Sequence, residues 1–182
     1  PVPAIGVVDH PGCALRPQTG WPCMKTAGPA LIIAFGAALD LAAKLWARTS
    51  LEPYGATTDF LPFIALRLTF NQGISFSLFS FEGEAARLAL LLATAALTAS
   101  FALWAFRSEG LERIVASFIV AGALANVIDR AVYGVVTDYL DLHFGAWHPF
   151  VFNLADVWIT AGAILLFFCQ FSRKRSKVFL RS

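Results

Sequence analysis

Six ionisable residues stand inside apolar runs of bilayer length: Asp40, Lys44, Arg87, Asp129, Arg130 and Asp156. A charge held in hydrocarbon costs at least ~2.5 to 3.5 kcal/mol, so each of them is a candidate for function. Spacing sorts them. Asp40 and Lys44 are i,i+4 and share a helix face, where they can neutralise one another. Arg87 begins its run and can snorkel to the headgroups, so no function is assigned to it. Asn126, Asp129 and Arg130 fall at i, i+3 and i+4, a polar face on an otherwise apolar helix. Asn153 and Asp156 are i,i+3, with Thr160 one turn further along. Asp138 lies just past the third run, in VVTDYL.

The chemistry open to these residues is narrow. A serine hydrolase needs a histidine beside its serine, but no histidine occurs in the apolar runs, and Ser100 and Ser117 have apolar neighbours. The HExxH pattern of zinc proteases is absent. His143 and His148 with Asp141 have ligand chemistry, yet interfacial histidines are commoner, and no metal site is expected. Cys13, Cys23 and Cys169 include no CxxC pair, which points to neither a disulfide framework nor a zinc ribbon. Paired carboxylates remain. Two carboxylates forced together in a low dielectric cannot both ionise easily, so one keeps a proton while the other acts as general base on a water. Asp138 and Asp156, neither with an i,i+4 partner to neutralise it, are the candidates, one on a loop and one at a helix start. A small proton-coupled membrane transporter could use the same carboxylates, and pattern alone leaves both readings open. The transporter predicts polar residues through the far halves of the spans, which instead read LIIAF, LTASFALWAF, IVASFIV and ILLFF. A non-enzymatic scaffold predicts no clustering of charge at one depth.

The elements that must position these groups follow from composition. Of 182 residues, 58% are apolar and 14% charged, against about 45–50% and about 25% in a soluble globular chain. With a net charge of +2, this excludes a disordered chain and a protein that binds nucleic acid by neutralising phosphates. Apolar runs near 27–46, 85–106, 113–131 and 152–171 predict an all-α integral membrane protein of four transmembrane helices. Lys25, Arg107, Arg113 and five basic residues in the tail 173–182 lie on one side. The long loops on the other side carry only Arg48 and Arg67. Both termini are therefore expected in the cytoplasm, with the two long loops outside.

In the first long loop, LRLTF and ISFSL flank NQG, which predicts a β-hairpin turning at Gly73. Its apolar face, Leu66, Leu68, Phe70, Ile74, Phe76 and Leu78, is expected on the membrane surface. The second loop is rich in aromatics (Tyr133, Tyr139, Phe144, Trp147, Phe150, Phe152), the composition of an interfacial anchor. Residues 1–23 hold five prolines and precede Met24, the only methionine, and Lys25. They are expected to be a disordered extension or sequence upstream of the true start, so that protein made from Met24 keeps full activity. The functional domain is then 24–172 and the basic tail 173–182.

Five stretches carry a family resemblance: DLAAK (40–44), NQGISF (71–76), ANVIDR (125–130), VVTDY (135–139) and FNLAD (152–156). In this order on four spans they closely resemble the lipoprotein signal peptidases (signal peptidase II), over residues 24–172. The resemblance implies a membrane aspartic endopeptidase with Asp138 and Asp156 as its catalytic aspartates. Asn153 would orient Asp156 or the substrate backbone. Asn71, Asn126 and Arg130 match residues lining the substrate site, Asp129 would hold Arg130 and the local backbone, and Asp40 with Lys44 would support the site. Ala43 stands where the family often has Ser or Thr, and Ala125 where Gly is usual; both are small and imply altered packing without loss of chemistry. The implied partners are diacylglyceryl-modified prolipoproteins and membrane lipids, with no nucleic acid, on a monomer in the bacterial inner membrane whose active site faces outward. Neither a metal nor an organic cofactor is expected, because a carboxylate can activate the water.

Overall fold

Long runs of Ala, Leu, Ile and Phe, without the polar face that a soluble helix carries, set the architecture. The computed structural model describes residues 22–73 and 84–179. Helix α1 (Pro22–Ser50) leads into strands β1 (Thr58–Leu61) and β2 (Ile64–Asn71). Helices α2 (Glu84–Arg107) and α3 (Gly110–Tyr133) follow, then β3 (Val136–Phe144), β4 (Trp147–Phe152) and α4 (Leu154–Phe179). The expected hairpin arm at 74–78 and the N-terminal segment 1–21 lie outside the described residues. The RSEGLER link shortens to Ser108 and Glu109, because α2 and α3 extend into it.

Among the described residues, three helical stretches are long and apolar enough to cross a membrane: Ala27–Ser50, Glu84–Arg107 and Gly110–Tyr133. The apolar part of α4, Leu154–Cys169, is shorter, about 24 Å at 1.5 Å per residue, and the helix continues through the basic stretch to Phe179. Large apolar side chains face outward along the bundle, Phe35 at 72% and Phe168 at 63% exposure among them, as expected where lipid is the solvent.

Helix α3 is central and packs against α1, α2 and α4. Small residues permit the close crossings. A Cβ on Gly122 would lie 2.3 Å from the Ala155 carbonyl oxygen, and one on Gly162 would lie 2.5 Å from the Ile119 side chain, so α3 and α4 meet backbone to backbone at the first and backbone to side chain at the second. Ala37, Ala125 and Ala155 fill the same seam between α1, α3 and α4.

Both inter-helix segments at one end of the bundle join a single antiparallel sheet in the order β1-β2-β3-β4. Gly134, left-handed at φ 75°, ends α3 by donating its N–H to the Arg130 carbonyl, and its missing Cβ lets the chain turn directly into β3. Three expectations change here. Asp138 stands on strand β3, paired in register with Thr69 of β2, instead of on a loop. The apolar face of β2 turns inward: Leu68 is 1% exposed and packs with Ala47 of α1 and Tyr139, because the C-terminal turn of α1 offers apolar surface to cover it. Tyr139 is likewise buried instead of serving as an interfacial anchor, whereas Trp147 and Phe150 are exposed.

Candidate active site

The start of α4 organises the site. Asn153 precedes the helix, and its Oδ1 accepts the N–H of Asp156 at 3.0 Å while Asp156 Oδ2 accepts the N–H of Asn153 at 3.2 Å. This is a reciprocal cap of the first turn. The N–H of Leu154 reaches the Tyr139 hydroxyl at 3.3 Å, and the N–H of Ala155 reaches Asp40 Oδ1 at 2.8 Å. The donors that a helix N-terminus leaves free are thus taken up by side chains from β3, α1 and the cap itself. Asp40 thus ties α1 to the backbone beside Asp156.

Asn153 also reaches across to the sheet. Its Nδ2 donates to Asp138 Oδ1 at 2.6 Å and to the Thr137 carbonyl at 3.3 Å. With Oδ1 occupied by the cap, the orientation of this amide is fixed, and Asn153 links the two candidate catalytic carboxylates. Asp156 Oδ1 accepts from Asn126 Nδ2 at 3.0 Å. The oxygen of that second amide accepts from Lys44 Nζ at 2.5 Å, which sets which way the Asn126 amide faces. Lys44 is 1% exposed, and its ammonium is matched by Asp40 at 2.8 Å and Asp129 at 3.7 Å. A buried charge of this kind persists only with such partners.

Asp138 is 4% exposed. Burial, reinforced by the negative Asp156, pushes its carboxyl up to about 6, while hydrogen bonds from Asn153 and Asn71 and the nearby Lys44 pull the other way. Asn71, at the end of β2, also accepts the Gly73 N–H at 2.7 Å. The Tyr139 hydroxyl is raised as well, chiefly by burial.

Asp129 departs from expectation. Its Oδ2 accepts the Thr137 N–H at 2.6 Å, which does hold the local backbone. Its ionic contacts, however, are with Lys44 and with Arg48 at 3.4 Å, on the face turned towards α1. Adjacent residues on a helix point about 100° apart, so Arg130 is directed elsewhere. Arg130 Nε is buried with no hydrogen-bond partner among the described residues, and Nη2 lies 3.3 Å from where a Cβ on Gly73 would stand. The bare glycine, at φ 78°, leaves the room that the guanidinium occupies.

The sequence-derived residues Asp40, Lys44, Asn71, Asn126, Asp138, Asn153 and Asp156, with Asp129, therefore form one connected network, and Arg130 flanks it. Asp141 stands apart, paired with His148 at 3.0 Å and Arg67 at 3.8 Å. No group of three or more His, Cys, Asp or Glu side chains suited to a metal occurs among the described residues. Arg48, Thr137 and Tyr139 escaped sequence reasoning. Arg48 lies past the apolar run 27–46 and so reads as a loop residue, yet its spacing from Asp40 and Lys44, i+8 and i+4, carries the signal once α1 is known to reach Ser50.

Comparison with known proteins converges on one family. The family model for signal peptidase II matches residues 32–172. A lipoprotein signal peptidase of Mesorhizobium japonicum is 39% identical over 143 residues, covering 76% of this chain and 82% of the relative. One of Brucella ovis is 38% identical over 122 residues, covering 65% and 74%. Among solved structures, a bacterial membrane enzyme determined by the in meso method at 1.9 Å shares the fold, with a TM-score of 0.68 and 24% identity over 79% of this chain and 92% of that one.

Proposed function

The chain belongs to the signal peptidase II family, and from that premise we propose that it is a membrane aspartic endopeptidase. It removes the signal peptide from bacterial prolipoproteins, cutting before the diacylglyceryl-modified cysteine. The observation that carries the aspartic reading is Asn153, whose side-chain amide and backbone N–H each hold one carboxylate of the pair Asp138 and Asp156.

The chemistry follows from the asymmetry of that pair. Asp138, buried on the strand with its carboxyl pushed up to about 6, is the member of the pair that carries the proton in the reactive form. Asp156, whose two oxygens accept N–H groups from Asn126 and Asn153, takes a proton from a water. The water oxygen attacks the scissile carbonyl, and Asp138 gives its proton to the carbonyl oxygen as the tetrahedral intermediate forms. Collapse breaks the C–N bond: the proton gained by Asp156 passes to the departing amine, and Asp138 takes a proton back from a hydroxyl of the intermediate, which leaves the carboxylic acid. Arg130, cationic and with its Nε lacking a hydrogen-bond partner among the described residues, is available to a peptide carbonyl of the substrate.

Location supports the same reading. The dyad sits at the sheet end of the bundle, while the Ser108–Glu109 link and the basic stretch after residue 172 lie at the other. The positive-inside rule then puts the sheet and the dyad at the outer face of the inner membrane, where a diacylglyceryl chain stays in the bilayer as the peptide reaches the carboxylates.

The test uses purified protein in lipid bilayers with a diacylated precursor peptide and the same peptide lacking the lipid. Cleavage before the modified cysteine of the first alone is expected. Cleavage of neither, with proton flux across the bilayer, would favour the transporter.

A further inference from the structure

Arg48 lies in the last turn of α1 and touches three other elements at once, α3, β2 and β3. Its Nε donates to Thr137 Oγ1 of β3 at 2.8 Å, and its Nη2 donates to Asp129 Oδ1 of α3 at 3.4 Å. Its guanidinium carbon stands 3.7 Å from the ring centroid of Tyr133, at the end of α3, and 4.9 Å from that of Phe70 on β2. The side chain is 17% exposed, so most of the group is withdrawn from solvent. A planar cation with a fixed fork of donors and two aromatic neighbours has little freedom to turn.

What it holds is the residue next to Asp138. Thr137 is fixed at three points: its N–H by Asp129 Oδ2, its hydroxyl by Arg48, and its carbonyl by Asn153 Nδ2. Two of those points depend on Arg48, because the Asp129 carboxylate shows Oδ2 to Thr137 while Oδ1 is occupied by the guanidinium. We propose that Arg48 is a positioning residue for Asp138, acting through the Thr137 side chain and the orientation of Asp129 to set where β3 delivers the carboxylate against Asn153. This rests on the reading of Asp138 and Asp156 as the catalytic pair. A cation in the last turn of a helix also favours the helix dipole, and that purely structural role predicts a different outcome.

The experiment is a double-mutant cycle in kcat and KM on the diacylated precursor, with Arg48→Met, Thr137→Val and the two combined. Displacing a reacting group by about 1 Å costs about 10²-fold in rate. Arg48→Met is accordingly expected to lower kcat at least about tenfold with KM little changed. Thr137→Val lowers kcat in the same direction, and the double variant is no slower than Arg48→Met. Thr137→Ser, which keeps the hydroxyl, stays near wild type. Because Thr137→Val is almost isosteric, it supplies the comparison with Thr137→Ser even where Arg48→Met fails to fold. Equal kcat for Thr137→Val and Thr137→Ser, or multiplicative losses in the double variant, would overturn the proposal. An active Asp138→Asn variant would sink the catalytic reading itself, whereas an inactive one beside a wild-type-like Thr137→Val would sink only the role of Arg48.

Discussion

Asn153 and Asp156 cap one another across the first turn of α4, at 3.0 and 3.2 Å. The same arrangement that starts the helix frees the Asn153 amide nitrogen to reach Asp138 at 2.6 Å. Helix formation and alignment of the carboxylate pair are therefore one event: the oxygen of the amide belongs to the cap and the nitrogen to the chemistry.

That division can be separated by substitution. Serine caps a helix about as well as asparagine but has no second donor to reach across to β3. Asn153→Ser should retain the thermal stability of the wild type within about 1 kcal/mol while losing about 10²-fold in kcat. Parallel loss of stability and activity would mean that Asn153 matters only as a cap.

The cost of burying Asp138 should be visible in stability. Its carboxyl moves from 3.8 to about 6 on folding, so between those pH values the unfolded chain releases a proton that the folded chain keeps. The Asp138 contribution to stability is thus most favourable below about pH 4, falls as the pH rises to about 6, and stays lower above; the shift corresponds to about 3 kcal/mol at most. Asp138→Asn, which has no proton to lose, should melt higher than wild type at pH 7, and the advantage should vanish near pH 4. Melting curves across that range check it, and a difference independent of pH would contradict it.

Gly122 sets how closely α4 approaches α3. Its added Cβ would lie 2.3 Å from the Ala155 carbonyl, within the turn that carries Asp156, whereas Gly28 in α1 has nothing within 4 Å. Gly122→Ala should push the first turn of α4 away and cost activity together with about 1–3 kcal/mol of stability. Gly28→Ala should be neutral or slightly stabilising. Equal effects of the two in cleavage and melting assays would refute the close approach.

The sequence carried the polar residues of the site better than the structure that joins them. Asp40, Lys44, Asn126, Asn153 and Asp156 stand out because a polar group in an apolar run is costly and therefore rare, and Asp138 because it follows such a run with no i,i+4 partner to neutralise it. The four helices were legible for the same reason, although among the described residues three reach spanning length by composition. The sheet was half visible. Alternation predicted a strand at 66–70, inside the observed Ile64–Asn71, but its pairing with β3 is a long-range contact that no local pattern encodes. Without that pairing Asp138 read as a loop residue, Leu68 and Tyr139 as surface groups, and Asp129 as the partner of Arg130. Arg48 was hidden because the apolar run ends before it, while tertiary contacts with Asp129, Tyr133 and Thr137 carry α1 a further turn.

The central claim is that Asp138 and Asp156 together perform the hydrolysis. Its most direct test is cleavage of a diacylated precursor by Asp138→Asn and Asp156→Asn proteins in lipid bilayers, with binding of the same precursor measured alongside. Both variants should bind it while cleaving at least about 10²–10⁴-fold more slowly than wild type. Cleavage by either at the wild-type rate would contradict the assignment.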